Sequence, residues 1–271
     1  MERLSHMFAQ LKAAGDLAFI PGIVPGDPSF ELDTEIVKTM VQAGADAIEL
    51  SCSFSDPVAD GPTLQAAHSR TLGRGTTKAE TYAWIARARA VTDVPLLVLE
   101  YANCIFQFGP ERFFKVLADN GADSAIVVDV PLEEAAPFRR AAEAAHIGTT
   151  FLIAPSTSDA RLHSIAAAAR EWLYVVALSG ITGARDAVQQ PVAELLARAR
   201  GVTALPLVVG FGISQPDHIR RVAQAGAHGA ISCSAVVDLI TAGQNQPADM
   251  LRDLASYVGA MKTATHRQLL A

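Results

Sequence analysis

Glu49 lies inside the apolar run Ala47-Ile48-Glu49-Leu50-Ser51-Cys52. A carboxylate in such a run either meets a cation or keeps its proton above the usual range, because burial penalises the charged form. The neighbouring apolar runs offer no obvious cation. Glu49 therefore reads as an acid/base group, with a structural ion pair as the competing reading. The segment that follows, Phe54-Ser55-Asp56-Pro57-Val58-Ala59-Asp60-Gly61-Pro62-Thr63, holds two acids, two prolines and a glycine. Asp60 is either a cap for a helix entered at Pro62 or a second carboxylate beside Glu49. Asp129, in Val127-Val128-Asp129-Val130-Pro131, is a third acid at the end of an apolar run, and serves as a helix cap or as a partner to the site.

Two later runs end in glycine-containing turns, Ser179-Gly180-Ile181-Thr182-Gly183 and Gly210-Phe211-Gly212-Ile213-Ser214, and a third ends in Ser232-Cys233-Ser234. Backbone N–H groups in such turns, together with a helix starting at Ser234, would hold a phosphate. Other chemistries fit less well. The lysines Lys12, Lys38, Lys78, Lys115 and Lys262 all fall in helical segments, so a Schiff-base aldolase lacks its strand-borne amine. The seven histidines show no metal-ligand spacing, and none ends a strand beside an acid. Cys52, Cys104 and Cys233 have no histidine nearby in a strand end and read as packing residues near the mouth. What remains is carboxylate acid–base chemistry on a phosphorylated small molecule.

The elements that must position these groups follow from the apolar pattern. Eight continuous runs, Leu17–Ile23, Ala47–Cys52, Leu96–Tyr101, Ser124–Val130, Thr149–Ala154, Leu173–Leu178, Leu207–Gly210 and Gly229–Ser232, predict parallel strands buried on both faces. Between them, helical segments are expected near 31–43, 62–73, 77–90, 110–120, 132–145, 158–170, 191–200, 216–225 and 234–240. A weak repeat marks three helix-to-strand turns: Ala43-Gly44-Ala45-Asp46, Asn120-Gly121-Ala122-Asp123 and Ala225-Gly226-Ala227-His228. Eight such units predict an α/β fold, a single (β/α)8 barrel over residues 1–271, with an extra N-terminal helix at Arg3–Ala14 and a final helix in Pro247–Leu270. A doubly wound sheet is the rival, but Val24-Pro25-Gly26-Asp27-Pro28 lacks the dinucleotide glycine spacing. In a barrel, the groups named above sit at the C-terminal strand ends.

Composition narrows the setting. Of 271 residues, half are hydrophobic and 18 % charged, with a formal net charge of −6, which suits a large core and not a nucleic-acid partner. No apolar stretch is long enough for a bilayer, and the N-terminus reads as an amphipathic helix and not a signal peptide. Three sparse cysteines suit a reducing, cytoplasmic compartment.

Taken together, Phe54-Ser55-Asp56-Pro57-Val58-Ala59-Asp60-Gly61-Pro62, Gly26-Asp27-Pro28, Tyr101-Ala102-Asn103, Asp129-Val130-Pro131, Ser179–Gly183 and Gly210-Phe211-Gly212-Ile213 resemble the tryptophan synthase alpha chain family, over Met1 to about Ile240. The resemblance implies cleavage of indole-3-glycerol phosphate to indole and glyceraldehyde 3-phosphate. It implies a beta chain as partner in an αββα complex, with the pyridoxal phosphate on that partner and no cofactor on this chain. Glu49 would be the general acid/base, Asp60 would hold the indole N–H, and Tyr174 would be the active-site tyrosine. Gly183, Gly212, Cys233 and Ser234 would bind phosphate, with Thr182 and Asp129 beside the substrate. Leu99, Ile126, Phe211 and Ile231 would wall the indole, joined by Gly22, Leu64 and Glu100 at the mouth. The loop 53–60 and the loop after strand 6 would close over the substrate and touch the beta chain.

The sequence departs from the family around Glu49. Ser51-Cys52-Ser53 replaces a Gly-x-Pro, Gly22 and Val24 replace an aromatic and a threonine, Cys233-Ser234 replaces Gly-Ser, and Glu100 takes a position that is usually apolar. Three readings follow: a working alpha chain with a tolerant pocket, a stand-alone lyase on this or another phosphorylated substrate, and a non-catalytic subunit that binds a beta chain. Retention of Glu49, Asp60 and Tyr174 argues against the last.

Overall fold

A computed structural model describes residues 2–177 and 189–266. The eight apolar runs form eight strands: β1 (Ala18–Ile23), β2 (Ile48–Ser51), β3 (Leu96–Glu100), β4 (Ser124–Val127), β5 (Gly148–Ile153), β6 (Leu173–Val176), β7 (Leu207–Gly210) and β8 (Gly229–Ser232). Each pairs in parallel with the next, and β8 pairs with β1, so the sheet closes in sequence order. The barrel expectation is met, and an open doubly wound sheet is excluded.

Helices cover the outside: α1 (Glu2–Ala14), α2 (Phe30–Gln42), α3 (Pro62–Gly73), α4 (Lys78–Arg89), α5 (Ala102–Phe108), α6 (Pro110–Asp119), α7 (Ala136–Ala144), α8 (Asp159–Ala168), α9 (Gln189–Arg200), α10 (Pro216–Gln224), α11 (Ser234–Gly243) and α12 (Pro247–Thr263). The short α5 was not expected, because seven residues carry too little periodicity to be read. The helix expected near 132–145 is instead a 3-10 turn, Leu132–Glu134, followed by α7. Pro137 has no N–H to continue the earlier turn, but suits the first turn of a new helix.

Side chains alternate along each strand. Ala18, Ile20, Ala47, Leu97, Leu99, Ile126, Tyr174, Val208 and Ile231 meet inside the barrel. Phe19, Ile48, Leu50, Leu96, Val98, Val175 and Val209 meet the helices outside. Leu4, Met7 and Phe8 of α1 join the inner cluster with Trp172, so the N-terminal helix closes the bottom of the barrel.

The weak repeat has a physical meaning. Gly44, Gly121 and Gly226 adopt φ of +106°, +82° and +93°, which ends each helix in the left-handed region. The polar residue two positions on then accepts from the first N–H groups of the preceding strand. Asp46 Oδ2 takes Phe19 N at 2.7 Å, Asp123 Oδ2 takes Leu96 N at 2.9 Å, and His228 Nδ1 takes Leu207 N at 3.4 Å. The same phrase thus fastens three β–α units at the bottom, leaving the C-terminal strand ends for chemistry.

Candidate active site

Glu49 sits opposite Gly22 of β1 and Leu97 of β3 and points inward with Ala47. It is 2 % exposed. No cation faces it among the described residues. Its carboxyl is pushed up to about 7, chiefly by burial; a hydrogen bond from Cys233 opposes this and the charge of Asp60 adds to it. Cys233 Sγ donates to Oε1 at 3.1 Å, and Oε2 has no protein partner. The structural ion-pair reading therefore fails. A buried carboxyl that titrates near neutrality, with one oxygen open, can both give and take a proton.

Asp60 is not a helix cap. Gly61 is the N-cap of α3 and has no side-chain cap, whereas Asp60 Oδ2 accepts from Tyr101 Oη at 2.7 Å and contacts His68 Nε2 at 3.2 Å. Tyr101 Oη in turn accepts from Ala59 N at 3.2 Å, which fixes the backbone just before Asp60. Phe54 packs on the Tyr101 ring with centroids 5.0 Å apart. Tyr101 and His68 were both missed in the sequence. Tyr101 follows the inward positions Leu97 and Leu99 by the strand period of two, a signal that was available. His68 lies in the buried stripe Leu64, Ala67, His68, Thr71 of α3, and a search confined to strand ends passes over it.

Tyr174 is buried, with its ring edge-on to Phe211 at 5.9 Å between centroids. Burial first, then the charge of Glu49, holds its hydroxyl protonated. Leu99, Ile126, Ile231 and Phe211 share this apolar cluster, as expected for a wall against a flat ring. Leu64 is buried on α3. At the end of β7, Phe211 and Gly212 adopt φ of +71° and +76° in succession. A non-glycine residue in that region marks a turn held by its surroundings. Ser234 begins α11 behind the N-cap Cys233, which makes no side-chain cap bond. Thr182 and Gly183, with the whole Ser179–Gly183 turn, lie outside the described residues.

Glu100 and Val24, both read at the mouth, face away from the pocket. Glu100 points outward with Leu96 and Val98, fully buried, where Lys78 Nζ meets its two oxygens at 2.8 and 2.6 Å and Tyr82 Oη donates at 2.6 Å. It is a buried ion pair behind β3 and not a pocket residue. Val24 packs against Ala67 and Val237, between α3 and α11. Asp129 stays at the mouth: it is exposed, accepts Ala102 N at 2.8 Å at the start of α5, and its charge reaches the Tyr101 hydroxyl. The cysteines fit the packing reading: burial raises the thiols of Cys52 and Cys233 well above their usual range and that of Cys104 to about 11, leaving none as a nucleophile near pH 7.

A closed parallel barrel with a near-neutral buried carboxyl at its mouth defines a (β/α)8-barrel enzyme whose working end is the C-terminal face. Residues 8–266 match the family model described as tryptophan synthase alpha chain. The chain is 41 % identical to the tryptophan synthase alpha chain of Escherichia coli O127:H6 (strain E2348/69 / EPEC) over 268 residues, covering 98 % of this chain and 100 % of that one. It is also 41 % identical to that of Serratia proteamaculans over 266 residues, covering 98 % and 99 %. Among solved structures, tryptophan synthase subunit alpha from Legionella pneumophila superposes with a TM-score of 0.89 at 30 % identity over 98 % of both chains. The chain belongs to the tryptophan synthase alpha chain family. That family is a lyase cleaving indole-3-glycerol phosphate, and the chain is an alpha subunit of that kind, acting with a beta chain. Among the described residues no helix is long and apolar enough to cross a membrane.

Proposed function

We propose that Glu49 carries both proton transfers of the lyase reaction, with Asp60 holding the indole nitrogen. The observation that supports this is the burial of Glu49 with Oε2 unclaimed, which pushes its carboxyl up to about 7. Protonated Glu49 delivers its proton to the indole ring carbon that bears the glycerol chain. Positive charge then develops at the ring nitrogen, where the Asp60 carboxylate accepts the N–H. Glu49, now a carboxylate, takes the proton of the adjacent glycerol hydroxyl. The C–C bond breaks, its electron pair returns to the ring to give indole, and the hydroxyl carbon becomes the aldehyde of glyceraldehyde 3-phosphate. One proton is given and one taken, so Glu49 ends as it began.

Leu99, Ile126, Phe211 and Ile231 wall the ring, and Tyr174 with its protonated hydroxyl lies beside Glu49. The phosphate rests on backbone N–H groups at Gly212 and on the N-terminus of α11 at Ser234, with Gly183 and Thr182 as the further ligands that the family resemblance implies. Val58 and Phe106, 80 % and 57 % exposed on segments after β2 and β3, offer an apolar rim for the beta chain in an αββα complex. The alpha chain works without its own cofactor, in the cytoplasm, and residues 1–271 act as one barrel. Indole release from indole-3-glycerol phosphate, measured with and without a beta chain, tests the subunit reading. Strong stimulation supports it, and full activity of the chain alone favours a stand-alone lyase.

A further inference from the structure

We propose that His68 is the positioning residue for Asp60, its imidazole aiming the carboxylate at the indole N–H by donating from Nε2. The inference rests on the reading of Asp60 given above.

His68 is fully buried on α3, two turns past Asp60, and its Nε2 stands 3.2 Å from Asp60 Oδ2. A carboxylate only accepts, so this contact puts the imidazole hydrogen on Nε2. Nδ1 is buried with no partner. A second hydrogen there would be an unsatisfied buried donor. Tyr101 Oη reaches the same oxygen at 2.7 Å from β3. Two donors from two elements therefore claim Oδ2 and leave Oδ1 without a protein donor among the described residues.

The helix that carries His68 is tied down on both sides of it. Thr63 Oγ1 donates to Asp238 Oδ1 at 3.0 Å, joining the start of α3 to α11. Arg70 Nε holds Asp27 Oδ1 at 3.0 Å, and its Nη2 holds Oδ2 at 2.6 Å and Thr241 Oγ1 at 2.9 Å, joining the end of α3 to the loop after β1 and to α11. His68 is therefore held by the scaffold, while Asp60 sits in a loop. A rigid donor setting the angle of a loop carboxylate contributes only where that carboxylate contributes, in the charge-developing step and not in substrate binding.

The test compares His68→Leu with His68→Gln, whose amide Nε2 can offer a donor at the same place. Indole release from indole-3-glycerol phosphate is measured in the presence of a beta chain. Loss of the donor lowers kcat about 10- to 100-fold with KM nearly unchanged, and Gln recovers most of it. Unchanged kcat in His68→Leu overturns the proposal, as does a loss seen only in KM or one that Gln does not recover. Should His68→Leu not fold, 15N NMR of the unsubstituted chain decides: a ring carrying a hydrogen on Nε2 supports the assignment, and a ring carrying its hydrogen on Nδ1 alone overturns it. Asp60→Asn serves as the control. Full turnover there removes the Asp60 reading itself, whereas an inactive Asp60→Asn beside a fully active His68→Leu removes only the positioning role.

Discussion

The sulfur of Cys233 fills the space a side chain on Gly22 would take. A Cβ built on Gly22 overlaps Cys233 Sγ and comes within 3.2 Å of Cys233 Cβ and 3.4 Å of Glu49 Cβ. The same sulfur donates to Glu49 Oε1. Two departures from the family, an aromatic lost at 22 and a glycine lost at 233, are one exchange of volume across the mouth. The carboxyl of Glu49 keeps a packed neighbour on that side.

Gly22→Ala alone is therefore destabilising, by about 1–3 kcal/mol from overpacking. In a Cys233→Gly background the same substitution costs far less. Denaturant midpoints of the two single variants and the double variant measure the coupling. Additive costs would mean that the two sites do not share this space.

Burial also makes stability depend on pH. Glu49 and Glu171 are each pushed up to about 7, chiefly by burial. A carboxyl whose folded value exceeds its unfolded value near 4.5 contributes stability that is fully present below that value. The contribution is lost as pH rises through about 7. For Glu49 the loss is about 3 kcal/mol. Glu49→Gln cannot lose a proton, so its stability relative to the unsubstituted chain should improve steadily from pH 4 to pH 8. Parallel curves for the two proteins would contradict the burial of a titrating Glu49.

Glu100 gives a test in the opposite sense, a large effect on folding with none on chemistry. Lys78→Met leaves a fully buried carboxylate with Tyr82 and a backbone N–H but no cation. We expect a loss of about 3 kcal/mol of stability. Where the variant is folded, kcat/KM stays within a few fold, since the pair faces the helix layer. A selective loss of substrate affinity at unchanged stability would return Glu100 to the pocket.

Much of this architecture was legible in the amino-acid order. The continuous apolar runs gave all eight strands, and the turn phrase around Gly44, Gly121 and Gly226 marked the bottom of the barrel, because both signals are local. Glu49 stood out for the same reason, as a lone charge in an apolar run. Glu100 looked identical by that criterion and was misplaced. One residue of strand phase separates a side chain facing the pocket from one facing α4, and the cation that answers it, Lys78, comes from a helix that sequence proximity does not reveal. His68 and Tyr101 converge on Asp60 from α3 and β3 only once the barrel closes. The contact of Asp129 with Ala102 N was hidden because α5 was too short to foresee.

The central claim is that Glu49 moves both protons. It is tested most directly by indole release from indole-3-glycerol phosphate by Glu49→Gln in the presence of a beta chain, with the fold checked by circular dichroism. The amide can neither give nor accept the proton at neutral pH, so we expect kcat to fall by at least about 10²- to 10⁴-fold with the barrel intact. A folded Glu49→Gln that turns over at the normal rate would contradict the account.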